Sequence, residues 1–280
     1  MNRTIDLLMN NLNYSEKNAF WIRFCRNGLY LFLIVKIVFI QPILEDVTQF
    51  IPVQFTGLSS VLFAPILLAE INIFFFIIPF LIVLLVGIIF RHTYYNSFII
   101  LWFSICLSRL TLQIINGSDL VLNLLLLCSI FMEVPPAYRK FSNLHVFETI
   151  AGAARILCQI QVVFIYFQSG YNKLLSEAWR SGDAIYSITH LTFFQNPNLP
   201  WELNETECLL LAWGVILFEI GFALLIWVKR LRLTLLVLGC IFHISIILFL
   251  GLLDFGLIMI IGYCVFLPIQ RSKPLSVSLG

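Results

Sequence analysis

Charge is scarce in this chain. Asp, Glu, Lys and Arg make up 11 % of its 280 residues while 60 % are hydrophobic, and that balance leaves too little polar surface to coat a water-soluble fold. Metal-ligand spacing is absent too, because the four histidines, at 92, 145, 190 and 243, are scattered and form no H-x-x-x-H or H-E-x-x-H. The seven cysteines, at 25, 106, 128, 158, 208, 240 and 264, contain no C-x-x-C and only Cys208 falls near the expected outer surface, so neither a thiol redox centre nor a disulfide framework is supported. There is no P-loop and no G-x-S-x-G elbow. Asp254-Phe255-Gly256 spells the kinase metal-binding triplet without a Gly-rich loop or catalytic-loop signature, so it carries no kinase reading. The first 26 residues lack a signal-peptide core, since Asp6, Glu16 and Lys17 interrupt it.

What is present is a series of eight apolar stretches, at about 28–44, 71–90, 95–115, 119–133, 149–169, 208–228, 233–252 and 255–268. They predict an all-α, polytopic transmembrane helix bundle of about eight spans. The fourth and eighth are short for a crossing, so neighbours are expected to shield them from lipid. An interfacial or re-entrant segment is expected over 50–68, which Pro52 and Pro65 break. An amphipathic surface helix is expected before the first span, from the spacing of Ile5, Leu8, Met9 and Leu12. The resulting division is a segment 1–27, one membrane domain 28–268 and a tail 269–280.

Basic residues set the expected orientation. Arg3, Lys17, Arg23, Arg26, Arg91, Arg139, Lys140, Lys229, Arg230, Arg232, Arg271 and Lys273 fall on one side, making 12 of the 17, and only Lys173 and Arg180 fall on the other. Both termini are therefore expected in the cytoplasm. These bases read as topology signals rather than a nucleic-acid patch. Trp21 and Trp227 near one boundary and Trp179 and Trp201 near the other suit aromatic belts.

Lys36, Glu219 and His243 lie near the middle of their spans, where an ionised side chain costs on the order of 2.5–3.5 kcal/mol. A shared interior site is expected, with Glu219 as counter-charge to Lys36 or Arg109 and His243 nearby. Arg109 with Gln113, and Arg155 with Gln159, form polar stripes read as packing groups, and Lys36, Arg109 and Arg155 are taken as structural polar residues.

The longest connection, about 170–207, carries Glu177, Asp183, Glu202, Glu205 and Glu207. Lys173 and Trp179 are close enough in sequence for a short interfacial helix to set a base and an aromatic plate at the mouth of the bundle. The alternative is that Trp179 anchors the interface and Lys173 pairs with Glu177. Gln168, Trp179, Asp183 and Tyr186 are the expected substrate-contacting residues of this loop.

Tyr166-Phe167-Gln168-Ser169-Gly170-Tyr171-Asn172-Lys173-Leu174, then Glu177-Ala178-Trp179-Arg180-Ser181-Gly182 and Ala184-Ile185-Tyr186, resemble the signature of the HTTM superfamily, which includes the vitamin K-dependent gamma-carboxylases. The likeness continues through Leu217-Phe218-Glu219, Ile241-Phe242-His243-Ile244 and Asp254-Phe255-Gly256, and within the superfamily it is nearest to the bacterial sporulation-delaying protein B family. The carboxylase branch implies a reduced quinone as cofactor and a lysine at position 173 as base, with Glu219 and His243 as further catalytic candidates. A lysine acts so only when burial or a neighbouring cation favours its neutral form. The chain departs from that branch by carrying Gly117-Ser118 where the carboxylases have an Asn-His pair, and by ending without their large lumenal region. The sporulation-delaying branch implies a multipass protein of the bacterial cytoplasmic membrane that, with a small accessory protein, helps turn a secreted precursor into a mature peptide toxin. Membrane lipid, the precursor and the accessory protein are the expected partners, and nucleic acid is not. An immunity protein or channel is the third class of reading.

Overall fold

A computed structural model of the chain describes residues 19–48, 57–90, 92–111, 117–140, 144–191, 196, 199 and 201–267, and among these the regular structure is entirely helical. The expected N-terminal surface helix, Gln113 and the tail 269–280 lie outside the described residues. The order is α1 Ala19–Thr48, α2 Leu58–Leu62, α3 Ala64–Ile71, α4 Phe74–Ile89, α5 Tyr94–Leu110, α6 Gly117–Phe131, a 3-10 turn Pro136–Lys140, α7 Leu144–Leu175, α8 Glu177–Ser181, α9 Asp183–His190, α10 Glu205–Leu225, α11 Lys229–Leu250, α12 Leu253–Gly262 and a 3-10 turn Tyr263–Phe266.

Among the described residues five stretches are long and apolar enough to cross a membrane: Phe20–Pro42, Gly117–Arg139, Val146–Leu175, Glu205–Leu225 and Lys229–Leu250. Phe74–Ile89 and Leu253–Phe266 are shorter apolar helices. The fourth stretch, expected to be short for a crossing, instead runs 23 residues as Gly117–Arg139, though it is shielded as expected. Only 17 % of the most apolar window of α11 is buried, against 56 % for Gly117–Arg139. Leu233, Val237, Ile241 and Leu248 of α11 stand exposed, a density of bare apolar side chains that hydrocarbon tolerates and water does not.

Two of the differences from the expected helix boundaries have a visible cause or consequence. α1 begins at Ala19, ahead of the anticipated start at residue 28, because Arg23 and Arg26 are not boundary charges: both are ion-paired to Glu133. α7 runs on to Leu175 instead of ending at 169, so Lys173 belongs to its last turns rather than to a separate interfacial helix. Gly170 does not stop α7. A Cβ there would sit 3.0 Å from Glu219 Cβ and 3.1 Å from the Ile220 nitrogen, so the missing side chain is what lets α7 and α10 approach backbone to backbone.

The chain divides into two compact units, residues 1–114, 125–157 and 264–280, and residues 115–124 and 158–263. In the first, α4 packs against α1, α3 and α5. Arg155 is buried there, donating from Nε to the Val265 carbonyl at 3.1 Å and from Nη2 to the Leu267 carbonyl at 2.8 Å. In the second unit α10 packs on α8, α9 and α11, and α11 on α12. Asn204 and Glu207 close a capping box at the start of α10, with bonds of 3.0 and 2.9 Å.

Candidate functional site

The site is built at the end of α7. Tyr166, Ser169 and Lys173 recur at intervals of three and four residues and share one helical face. Opposite them α10 presents Glu219, buried to 5 % exposure. Lys173 Nζ donates to Glu219 Oε1 and Oε2, each at 2.7 Å, and to Ser169 Oγ at 2.6 Å. Ser169 in turn donates to Glu219 Oε1 at 3.2 Å. The three N–H bonds of the ammonium are thus all engaged. On its remaining side the charge lies 4.9 Å from the centre of the Trp179 ring, inside cation–π range.

Trp179 is held there by the chain's turn after α7. Ser176 is extended and ends the helix, α8 follows, and Gly182 reverses the chain at φ +91°. A side chain at Gly182 would be strained by that backbone and would also meet the Leu209 nitrogen at 2.8 Å. Ile185, Cys208 and Ala212 form a small core against which Trp179, Ile188 and Leu203 pack, and Trp213 Nε1 donates to the Arg180 carbonyl at 3.2 Å. The connection after α7 is therefore anchored on the first turns of α10.

Further along the same face of α7 lies a second polar group. The Tyr166 hydroxyl is 2.6 Å from His243 Nε2 and is also hydrogen-bonded to the Tyr263 hydroxyl. Phe222 covers the Tyr166 ring at 4.2 Å between centroids. His243 is 1 % exposed, and among the described residues its Nδ1 has no hydrogen-bond partner. The two tyrosines were not visible beforehand as site residues. Tyr166 had a signal, its spacing to Ser169 and Lys173; Tyr263 had none.

The sequence-derived candidates fare differently. Lys173 and Glu219 come together, with Trp179 beside them, so Glu219 is the partner of Lys173 rather than the expected partner of Lys36 or Arg109; Lys173 likewise pairs with Glu219 and not Glu177. His243 belongs to the same unit but bonds Tyr166. Gln168 is exposed and donates to Asn172 at 3.1 Å, Asp183 accepts from Ser181 at 2.7 Å, and Tyr186 stacks on His190 at 3.8 Å. Lys36 is buried in the other unit, and Arg109, in that unit too, is exposed with its guanidinium 5.2 Å over Phe63.

The first unit has a polar cluster of its own. Glu133 accepts from Arg23 Nε at 2.9 Å and from Arg26 Nη1. Nearby, the Tyr30 hydroxyl is 2.9 Å from Ser97 Oγ, which is 3.2 Å from His92 Nδ1, while His92 Nε2 donates to the Ile130 carbonyl at 3.2 Å. That donor fixes the neutral ring with its proton on Nε2. Burial, with the Arg26 charge second, pushes the His92 pKa down to about 4. Among the described residues no group of His, Cys, Asp and Glu is placed to hold a metal.

These features define a helical protein of membrane type that carries a desolvated lysine–glutamate pair beneath an aromatic plate. The chain is similar, at 32 % identity over 137 residues, to the sporulation-delaying protein SdpB of Bacillus subtilis (strain 168). The matched stretch is 45 % of this chain and 41 % of that protein, so the chain spans about two-fifths of its relative's length. No family model matches the chain, and no solved structure matches it.

Proposed function

We propose that the chain is an integral membrane factor of the sporulation-delaying protein B type, supporting the maturation of an exported peptide toxin. In this reading it is an HTTM-type domain over 28–268 with eight crossings, resident in the bacterial cytoplasmic membrane with both termini inside. The observation that carries it is the engagement of Lys173. An ammonium whose N–H groups are all taken up by Glu219 and Ser169 has no lone pair to act as a base, and serves instead as a fixed charge pair against Trp179. Around it Glu177, Asp183, Glu202, Glu205 and Glu207 are exposed, and that surplus of carboxylates over Arg180 draws a cationic, hydrophobic peptide toward the aromatic face. The similarity to SdpB supports the same reading. Coexpression with the small accessory protein and the secreted precursor tests it. Mature peptide in the medium only when this chain is present supports maturation, and an unchanged precursor eliminates it.

The buried array of two phenols and an imidazole favours a second reading, a quinone-linked membrane enzyme. The unpartnered Nδ1 of His243 is a buried polar atom that a quinone oxygen would satisfy, so the residues fit such a group, with His243 and Tyr166 as its holders. A bound quinone would supply two-electron redox chemistry. Tyr166 can hold a proton between His243 and Tyr263, whereas the Lys173 ammonium must first give up a proton before it can accept one. A quinone that copurifies with the protein and is lost in His243→Ala supports this reading.

A further inference from the structure

The Arg23–Glu133–Arg26 cluster has two cations and one carboxylate, so it carries an unneutralised positive charge. Its three members are not equivalent. The side chains of Arg26 and Glu133 are 6 % and 4 % exposed, while that of Arg23 is 50 % exposed. Glu133 takes only the Nε of Arg23, and among the described residues nothing accepts from its two Nη groups. Burial thus forces the surplus charge outward through Arg23.

What lies beside that open edge is aromatic. Positions 20, 23 and 24 are neighbours on the helix surface, three or four residues apart or adjacent in sequence, while Arg26 turns inward. Phe20 is 61 % and Phe24 53 % exposed, their rings stacked at 6.4 Å, and Trp21 closes edge-on against both at 5.0 and 6.0 Å. The face combines a guanidinium edge, whose paired N–H groups match two phosphate oxygens, with an apolar platform that suits an acyl chain. A soluble anion would use the first and not the second. A lipid without phosphate would use the second and not the first, and in a zwitterionic phospholipid the headgroup ammonium offsets the phosphate charge.

We propose that Arg23, backed by Glu133 and Arg26 and flanked by Phe20 and Phe24, binds the phosphate of an anionic membrane phospholipid. The site is separate from the Lys173 pair and lies in the other unit of the chain. Its occupant is chosen by charge: anionic lipid neutralises the surplus cation, and each such basic residue at a membrane surface gains about five-fold in lipid preference.

Native mass spectrometry of the full chain, released from mixed micelles of phosphatidylglycerol and phosphatidylcholine in equal amounts, reads the preference directly. The wild type is expected to retain phosphatidylglycerol about five-fold over phosphatidylcholine. Arg23→Gln is expected to bring that ratio to about unity, and Arg23→Lys to keep part of it. The double variant Phe20→Ser, Phe24→Ser leaves every charge in place and is expected to lower total retained lipid, which carries the test if Arg23→Gln fails to fold. An undiminished ratio in Arg23→Gln, or no preference in the wild type, overturns the proposal. Displacement of phosphatidylglycerol by millimolar inorganic phosphate makes this a site for free phosphate and overturns the lipid assignment.

Discussion

Lys173 meets both carboxylate oxygens of Glu219 at 2.7 Å across the α7–α10 contact, with Ser169 bridging the two. Neither residue has another described ionic partner, so each is the other's means of remaining charged away from water.

Glu219→Gln removes the anion and leaves an ammonium at 18 % exposure facing a neutral amide. Losing one member of a largely buried pair costs about 3 kcal/mol, and rather less where one side chain keeps some contact with solvent. A lowered midpoint in thermal or detergent unfolding is the expected result, together with loss of mature peptide in the coexpression assay. The double variant Lys173→Met, Glu219→Leu is expected to recover stability but not peptide. Full peptide output from that double variant contradicts a role for the charges in recognition.

Gly170→Ala is expected to destabilise by about 1–3 kcal/mol, because the new Cβ would crowd Ile220 Cγ1 at 2.9 Å and, just behind it, Glu219 Cβ at 3.0 Å and the Ile220 nitrogen at 3.1 Å, atoms held at or next to the α10 backbone. Gly214 on α10 makes the control, since a Cβ there meets nothing within 4 Å. Gly214→Ala is expected to be neutral or to stabilise by up to about 1 kcal/mol through helix propensity. Unfolding midpoints of the two variants, compared in one detergent, check the contrast.

Tyr166→Phe strips His243 Nε2 of its partner when Nδ1 already has none among the described residues. Tyr263→Phe leaves the Tyr166–His243 bond standing. The first substitution is expected to cost about 1–3 kcal/mol and to exceed the second. Equal effects on unfolding show that the imidazole is not the centre of the array.

Low pH should act through His92. Its pKa falls from 6.5 to about 4 on folding, so between those values the unfolded chain takes up a proton that the folded chain refuses. The contribution is fully present above pH 6.5 and is lost progressively as pH drops toward 4, by up to about 3 kcal/mol. Midpoints measured at pH 7.5, 6 and 5 should decline in the wild type, and His92→Gln should flatten that part of the decline.

How far sequence reasoning reached depended on whether a feature was local. The apolar runs became helices because membrane-length hydrophobicity is written in consecutive residues. Arg23 and Arg26 were read as the boundary before the first span, since nothing near them in sequence reveals Glu133, more than a hundred positions away. The likeness of residues 166–186 to a known signature singled out Lys173 and Trp179, and depth within a span singled out Glu219. Their pairing was hidden because it joins residues 46 apart and depends on α7 running past Gly170. Tyr263 packs into its array by tertiary contact alone, with no periodicity to announce it.

Arg155 binds carbonyls of Val265 and Leu267, the nearer of them 110 residues later in the chain. At ordinary ribosomal speed, that interval is on the order of ten seconds during which the guanidinium has been made and these two acceptors have not. Closure of this contact is therefore a late event of synthesis, and it ties the middle of the chain to residues made more than a hundred positions afterwards.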